Sequence, residues 1–174
     1  MGTLTEAMAS GSTWQLSAEQ GGELGGRWWK WALSAPDSKS PVRDTTGEHA
    51  AWSQPDDLWF LAGTYGGKVT RTCEVPSGRP LFFPVLNIQH AVSYSDRRPR
   101  LPVAHASAHL NGVPLELREF EGRFRYAFKR HLTWGVWGAI NPLSPGQYVL
   151  EIKADTGKGF WVDTTYHLAA ASSR

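Results

Sequence analysis

The sequence predicts a mainly β domain, an antiparallel β-sandwich or jelly-roll-like barrel with one short N-terminal helix. Three observations lead there. From residue 58 onward, apolar residues recur with a period of two. Turn signals at Gly66-Gly67, Pro76-Ser77-Gly78, Asn111-Gly112 and Pro145-Gly146 divide that stretch at roughly ten-residue intervals, the spacing of a sandwich or barrel. Before residue 58 a single segment has helical periodicity.

That segment runs from Ser17 to Ser34. Ser17 and Gln20 have the spacing of a capping box, and Trp28, Trp31 and Ala32 share one face with Leu24 a turn earlier. Gly21, Gly22, Gly25 and Gly26 weaken the first half, so the secure helix is 23–34, ended by Pro36. Residues 35–57 carry turn chemistry and read as a long loop.

Leu58–Gly63 is apolar on both faces, as in a central strand. Lys68–Val75 alternates, with Val69, Arg71, Cys73 and Val75 on one face. Leu81–Ile88 is again apolar throughout, and its Pro84 requires an edge or a bulge. Residues 89–101 read as a polar loop. Val103–Leu110 leads into Asn111-Gly112, the strongest hairpin signal in the chain, and Val113–Phe120 returns. Phe124, Tyr126 and Phe128 alternate with Arg125, Ala127 and Lys129. Trp134–Ile140, Tyr148–Ala154 and Phe160–Leu168 complete eight to nine strands.

The 174 residues fit one domain spanning 17–170, preceded by a flexible segment 1–16. Eighteen basic against sixteen acidic residues give little overall drive toward nucleic acid or an anionic membrane, and neither is an expected partner. The densest basic cluster, Arg97, Arg98 and Arg100, lacks interleaved aromatics and reads as a solvated loop. No apolar run is long enough to span a bilayer. The single cysteine excludes an intrachain disulfide, and the first residues lack the pattern of a secretory signal, so a soluble cytoplasmic protein is expected.

The segments RWWKWALS, DTTG, LWFLAGTYGG, RTCEVPSGRPLFFPVLN, PLSPGQ and VDTTYHL together resemble an uncharacterised bacterial β-rich family, mostly secreted. The resemblance implies no catalytic residues. Members of that family tend to carry a signal peptide and a cysteine after DTTG, which the resemblance pairs with the position of Cys73. Here that stretch is EHAAW. Both departures favour a reducing compartment.

Candidate chemistry is sparse. No Gly-x-Ser-x-Gly elbow, P-loop or dinucleotide fingerprint occurs. His105 and His109 are four apart on a strand, hence about 13 Å apart, too far to share a metal, and no metal or cofactor is expected. Cys73 falls on a core face, which suits a buried, inert thiol. Arg71 on that apolar face needs partners. It reads either as a structural ion pair pinning the long loop, with Asp44 first and Asp56, Asp57 and Asp163 behind it, or as an anchor for a ligand. Asp44, Glu48 and His49 could supply an acid and a base, or form an Asx-type turn.

Nine tryptophans are the compositional anomaly. Most suit a core, and one or two suit the wall of an apolar pocket. The resulting expectation is a pocket between helix, loop and sheet that binds a small apolar or polycyclic molecule. Trp28, Trp31 and Trp59 are the expected walls, and Arg71 and Asn87 the polar anchors. Asp44, Glu48 and His49 would be acid or base in any cofactor-free cyclisation, isomerisation or rearrangement. A carbohydrate-binding module and a purely structural or interaction protein are the alternatives.

Overall fold

The structure, a computed structural model, describes residues 12–172. One long helix, α1 (Ala18–Ser34), precedes nine strands: β1 (Trp59–Phe60), β2 (Gly67–Pro76), β3 (Leu81–Ala91), β4 (His105–Leu110), β5 (Val113–Pro114), β6 (Arg118–Tyr126), β7 (Lys129–Ile140), β8 (Gly146–Asp155) and β9 (Trp161–Ala171). They form a four-stranded sheet in the order β1-β3-β7-β6 and a five-stranded sheet in the order β2-β9-β8-β4-β5. The mainly β sandwich-like architecture is as the periodicity predicts. The pairing is mixed, however: β1–β3 and β2–β9 are parallel.

Two cores result. Between the sheets lie Leu61, Val75, Leu81, Phe83, Val85, Leu86, Trp134, Leu150, Ile152, Val162, Tyr166 and Leu168. Between α1 and the outer face of the four-stranded sheet lie Leu24, Trp28, Trp31, Leu58, Phe60, Phe82, Phe120, Trp137 and Ala139. The helix therefore covers a sheet face and does not cap one end of the sandwich. This second core explains why Leu58–Ala62 is apolar at every position: Leu58, Phe60 and Ala62 serve the helix side, while Trp59 and Leu61 serve the sheet side. Trp134 and Trp137 divide between the two cores in the same way.

The helix glycines are a packing face. A Cβ on Gly22 would overlap the Glu121 carbonyl oxygen, and one on Gly122 would overlap the Gly22 carbonyl oxygen. A Cβ on Gly26 would lie 2.7 Å from the Arg123 carbonyl oxygen. The helix backbone thus rests directly on β6. The Ser17–Gln20 capping box is formed, and α1 extends through its glycines back to Ala18.

Three local expectations change. Val113–Phe120 is not one returning strand: β5 stops at Pro114, and the chain crosses to the other sheet to begin β6. Residues 124–129 are not continuous strand, because Ala127 and Phe128 form a tight hairpin at φ 50° and 65°. The described part of the N-terminal segment is held: Thr13 bridges Ile140, and Trp14 N donates to Ala139 O at 3.0 Å. The rest of that segment lies outside the described residues. The Asn111-Gly112 hairpin forms with both residues at positive φ, 50° and 79°.

Candidate functional site

An apolar cavity of about 300 Å3 opens beside the C-terminal half of α1. Trp28, Trp29 and Ala32 line it from the helix, and Val42, Gly63 and Tyr65 from the loops on either side of β1. Thr64 beside Gly63, Asn87 and Ile88 of β3, Leu101 and Phe160 complete the wall.

The position of Asn87 follows from the Pro84 bulge. Before it, even-numbered residues of β3 face the helix, as Phe82 does. The register shifts between Pro84 and Leu86, so Val85 and Leu86 both enter the inter-sheet core. The parity is then reversed, and Asn87 emerges on the helix side opposite Gly135. Its side chain makes no hydrogen bond among the described residues, and its amide nitrogen is buried without a partner. With no partner fixing it, the amide can turn about χ2 to offer either its oxygen or its NH2 to the cavity.

Hydrogen bonds hold the rest of the wall. Trp28 Nε1 donates to Leu61 O at 2.9 Å. Trp29 Nε1 donates to Thr133 Oγ1 at 2.8 Å, and that hydroxyl donates on to Ile88 O at 2.9 Å. The tryptophan rings are therefore pinned by their polar edges, leaving apolar faces to the cavity.

Arg71 acts one layer behind. It is 2% exposed and makes no ion pair among the described residues. Its Nε donates to Asp44 O at 2.7 Å, and its Nη2 to Val42 O at 2.9 Å. Its Nη1 donates to Gly63 O, Ala62 O and the Tyr166 hydroxyl, at 3.1, 3.2 and 2.8 Å. The expected carboxylate partner is replaced by backbone carbonyls, and the expected pinning of the loop is achieved through them. Two of those carbonyls belong to Val42 and Gly63, which line the cavity, so Arg71 shapes the wall without reaching the interior. Burial pushes the Tyr166 hydroxyl above its ordinary pKa, and as a neutral phenol it donates to Ala62 O at 3.0 Å.

Asp44 forms the turn. Its carboxylate accepts from Thr46 N and Oγ1 at 2.9 and 3.0 Å, and from His49 N at 3.0 Å. Burial alone would raise its pKa, but these bonds, with one from the Gly47 backbone, together hold it below the usual carboxylate value. It is fixed as an anion with its lone pairs engaged. Glu48 and His49 approach each other at 3.5 Å on the outer surface, with the Glu48 side chain 69% exposed. Asp44 meets the backbone of His49, so the three do not converge as an acid–base set.

Of the remaining expected walls, Trp31 donates from Nε1 to Trp52 O at 2.7 Å and lines a separate groove with Arg27, Ser53 and Pro55. Trp59 lies in the inter-sheet core beneath the Arg79 guanidinium, 5.9 Å from its ring centroid. Trp28 and Asn87 are thus the two expected residues brought together at the cavity. Trp29, Ile88, Leu101 and Phe160 were missed, since they come from four separate segments with no shared motif.

Among the described residues, no group of three potential ligands is placed to hold a metal, and no helix is long and apolar enough to cross a membrane. Burial raises the Cys73 thiol to about 11. No protein family matches the chain, and no curated protein or solved structure is significantly similar to it.

Proposed function

We propose that the protein binds a small, flat, largely apolar molecule in the cavity between Trp28, Trp29, Ile88 and Phe160. The observation that carries this reading is an apolar cavity with one unsatisfied amide, that of Asn87, in its wall. Apolar walls provide affinity by burial, and a few placed polar groups provide orientation. The volume of about 300 Å3 suits a compact polycycle more than an extended chain. A ligand carbonyl or hydroxyl opposite Asn87 would gain a hydrogen bond at a group already desolvated, so its cost has been met in folding.

The reading commits to binding. Any cyclisation, isomerisation or rearrangement would rest on shape and on the Asn87 amide, because Asp44 is engaged by its own turn while Glu48 and His49 face outward. A thermal-shift screen of polycyclic natural products and oligosaccharides tests the proposal. A polycycle at about 100 times its Kd should stabilise the fold by about 2.7 kcal/mol. The shift should be lost in Trp29→Ala and weakened in Asn87→Leu.

A second reading, carbohydrate binding, draws on the rim. Tyr65 is 64% exposed, and Trp161, beside Phe160, is 46% exposed. A shift with oligosaccharides alone, lost in Trp161→Ala and kept in Trp29→Ala, would favour it. No shift from either set would leave the interaction-protein reading.

A further inference from the structure

The hairpin between β6 and β7 combines three locally unfavourable features. Ala127 and Phe128 both sit in the left-handed region, at φ 50° and 65°. The protein's other hairpin of this kind uses Asn111-Gly112, the pair such a turn favours. Here the second position is a phenylalanine, whose β-carbon makes the conformation costly. The Phe128 side chain is also fully exposed, at 105%. Finally, Arg125 and Arg130 are direct cross-strand partners, and like charges in that register repel.

Charge is concentrated around this tip. Residues 122–131 contain Arg123, Arg125, Lys129 and Arg130 and no acidic residue. None of the four, nor Lys30 across the adjoining groove, makes an ion pair among the described residues. By contrast, Arg27, which lines that same groove, and Arg43, Arg98 and Arg100 each meet a carboxylate. Beside the hairpin, Arg123, Arg125 and Arg130 share a depression of about 250 Å3 with the apolar Val92 and Leu132. Val92 N donates to Arg130 O at 2.8 Å, and the turn that follows presents Tyr94, 84% exposed, at the same end of the sheet. A net charge of +2 for the whole chain conceals this local excess.

We propose that this hairpin docks on an anionic phospholipid surface, with Phe128 entering the headgroup–acyl boundary. The arginines and lysines around it would meet lipid phosphates and carboxylates. An apolar tip encircled by unpaired cations is the complement of such an interface. The lipid would neutralise the Arg125–Arg130 repulsion and remove Phe128 from water, so two of the three unfavourable features of the free hairpin are relieved in one contact. A nucleic-acid partner fits less well, because it needs aromatic faces free for successive bases. Phe124 instead stacks on His131 at 4.7 Å, and the Tyr126 hydroxyl donates to Leu33 O at 2.9 Å. Phe128 is then the one fully exposed ring on the hairpin.

Vesicle flotation tests this. The full chain should bind vesicles of phosphatidylcholine with roughly a third phosphatidylserine, and not phosphatidylcholine alone, with binding weakened by salt. Phe128→Gly should lower partitioning by about tenfold, the loss of one buried aromatic side chain. That variant suits its φ, so folding is preserved, and an unchanged thermal midpoint or a higher one checks it. Replacing Arg125, Lys129 and Arg130 together by serine should lower partitioning on the order of a hundredfold. Equal binding to neutral vesicles, no binding to either kind, or an undiminished Phe128→Gly variant would overturn the proposal. Tight binding of a single-stranded homopolymer without vesicle binding would overturn it in favour of nucleic acid.

Discussion

Asp44 and Arg71 show how one buried charge of each sign can be held without pairing them. The Asp44 carboxylate takes backbone and hydroxyl donors of its own turn, and Arg71 takes carbonyls of two segments and the Tyr166 hydroxyl of a third. Because the folded pKa of Asp44 is lowered, its contribution to stability is complete above the ordinary carboxylate pKa of about 3.9. It disappears as the pH falls through the folded value. Asp44→Ala should cost about 1–3 kcal/mol at neutral pH, the penalty for stranding its donors. In urea titrations, the gap to the parent should close in acid. Arg71→Met leaves several buried carbonyls without a donor, and a loss of about 3–5 kcal/mol is expected from the same titration. Cys73, with its thiol raised to about 11, should react slowly with a thiol reagent at pH 7.5 in the folded protein and rapidly once unfolded. The sequence shows that Arg71 lies on an apolar face. It does not show that carbonyls rather than a carboxylate satisfy it, since every residue carries a carbonyl and no pattern marks which ones converge.

At the scale of elements, the helix glycines invert a propensity rule. Glycine to alanine inside a helix normally stabilises by about 1 kcal/mol. Gly22→Ala should instead destabilise by about 1–3 kcal/mol, because its Cβ would overlap the Glu121 carbonyl and push α1 off β6. A rise in the denaturation midpoint would contradict that packing. The Ala127-Phe128 hairpin makes the opposite prediction. Replacing the pair by Asn-Gly should raise stability by about 1–2 kcal/mol, as the left-handed strain is removed. The sequence carries a turn signal at Asn111-Gly112 and none at Ala127-Phe128, where alternation continues unbroken, so one hairpin is legible and the other is not. Likewise, Pro84 announces a bulge, but the reversal of side-chain parity that delivers Asn87 to the helix side depends on where the extra residue falls.

Over the whole molecule, two cores share the four-stranded sheet. Period-two alternation identifies the strands, and the apolar runs at 58–62 and 81–86 indicate strands covered on both faces. What covers the outer face is not written in either run. The helix could have capped the sandwich, and the glycine contacts with β6 together with the packing of Trp28 and Trp31 on Phe60, Phe82 and Trp137 show that it lies across the sheet. That placement creates the cavity, because α1 covers the sheet incompletely and leaves Trp28 and Trp29 facing Asn87, Leu101 and Phe160. Trp28 and Asn87 were legible as an aromatic wall and a polar residue in an apolar strand. Leu101 and Phe160 come from loops whose convergence depends on the strand order.

The most direct measurement is a tryptophan-fluorescence titration of the best polycyclic hit against the parent and Leu101→Trp. Leu101 lies in a loop at the cavity wall and packs on the edge of the inter-sheet core, so a larger side chain there fills the cavity, and an unchanged thermal midpoint checks that the core is kept. The account predicts saturable quenching in the parent and a Kd raised at least about tenfold in the filled variant, a difference of about 1.4 kcal/mol. Equal affinity in the two proteins would place the ligand elsewhere and contradict the assignment of the cavity as the binding site.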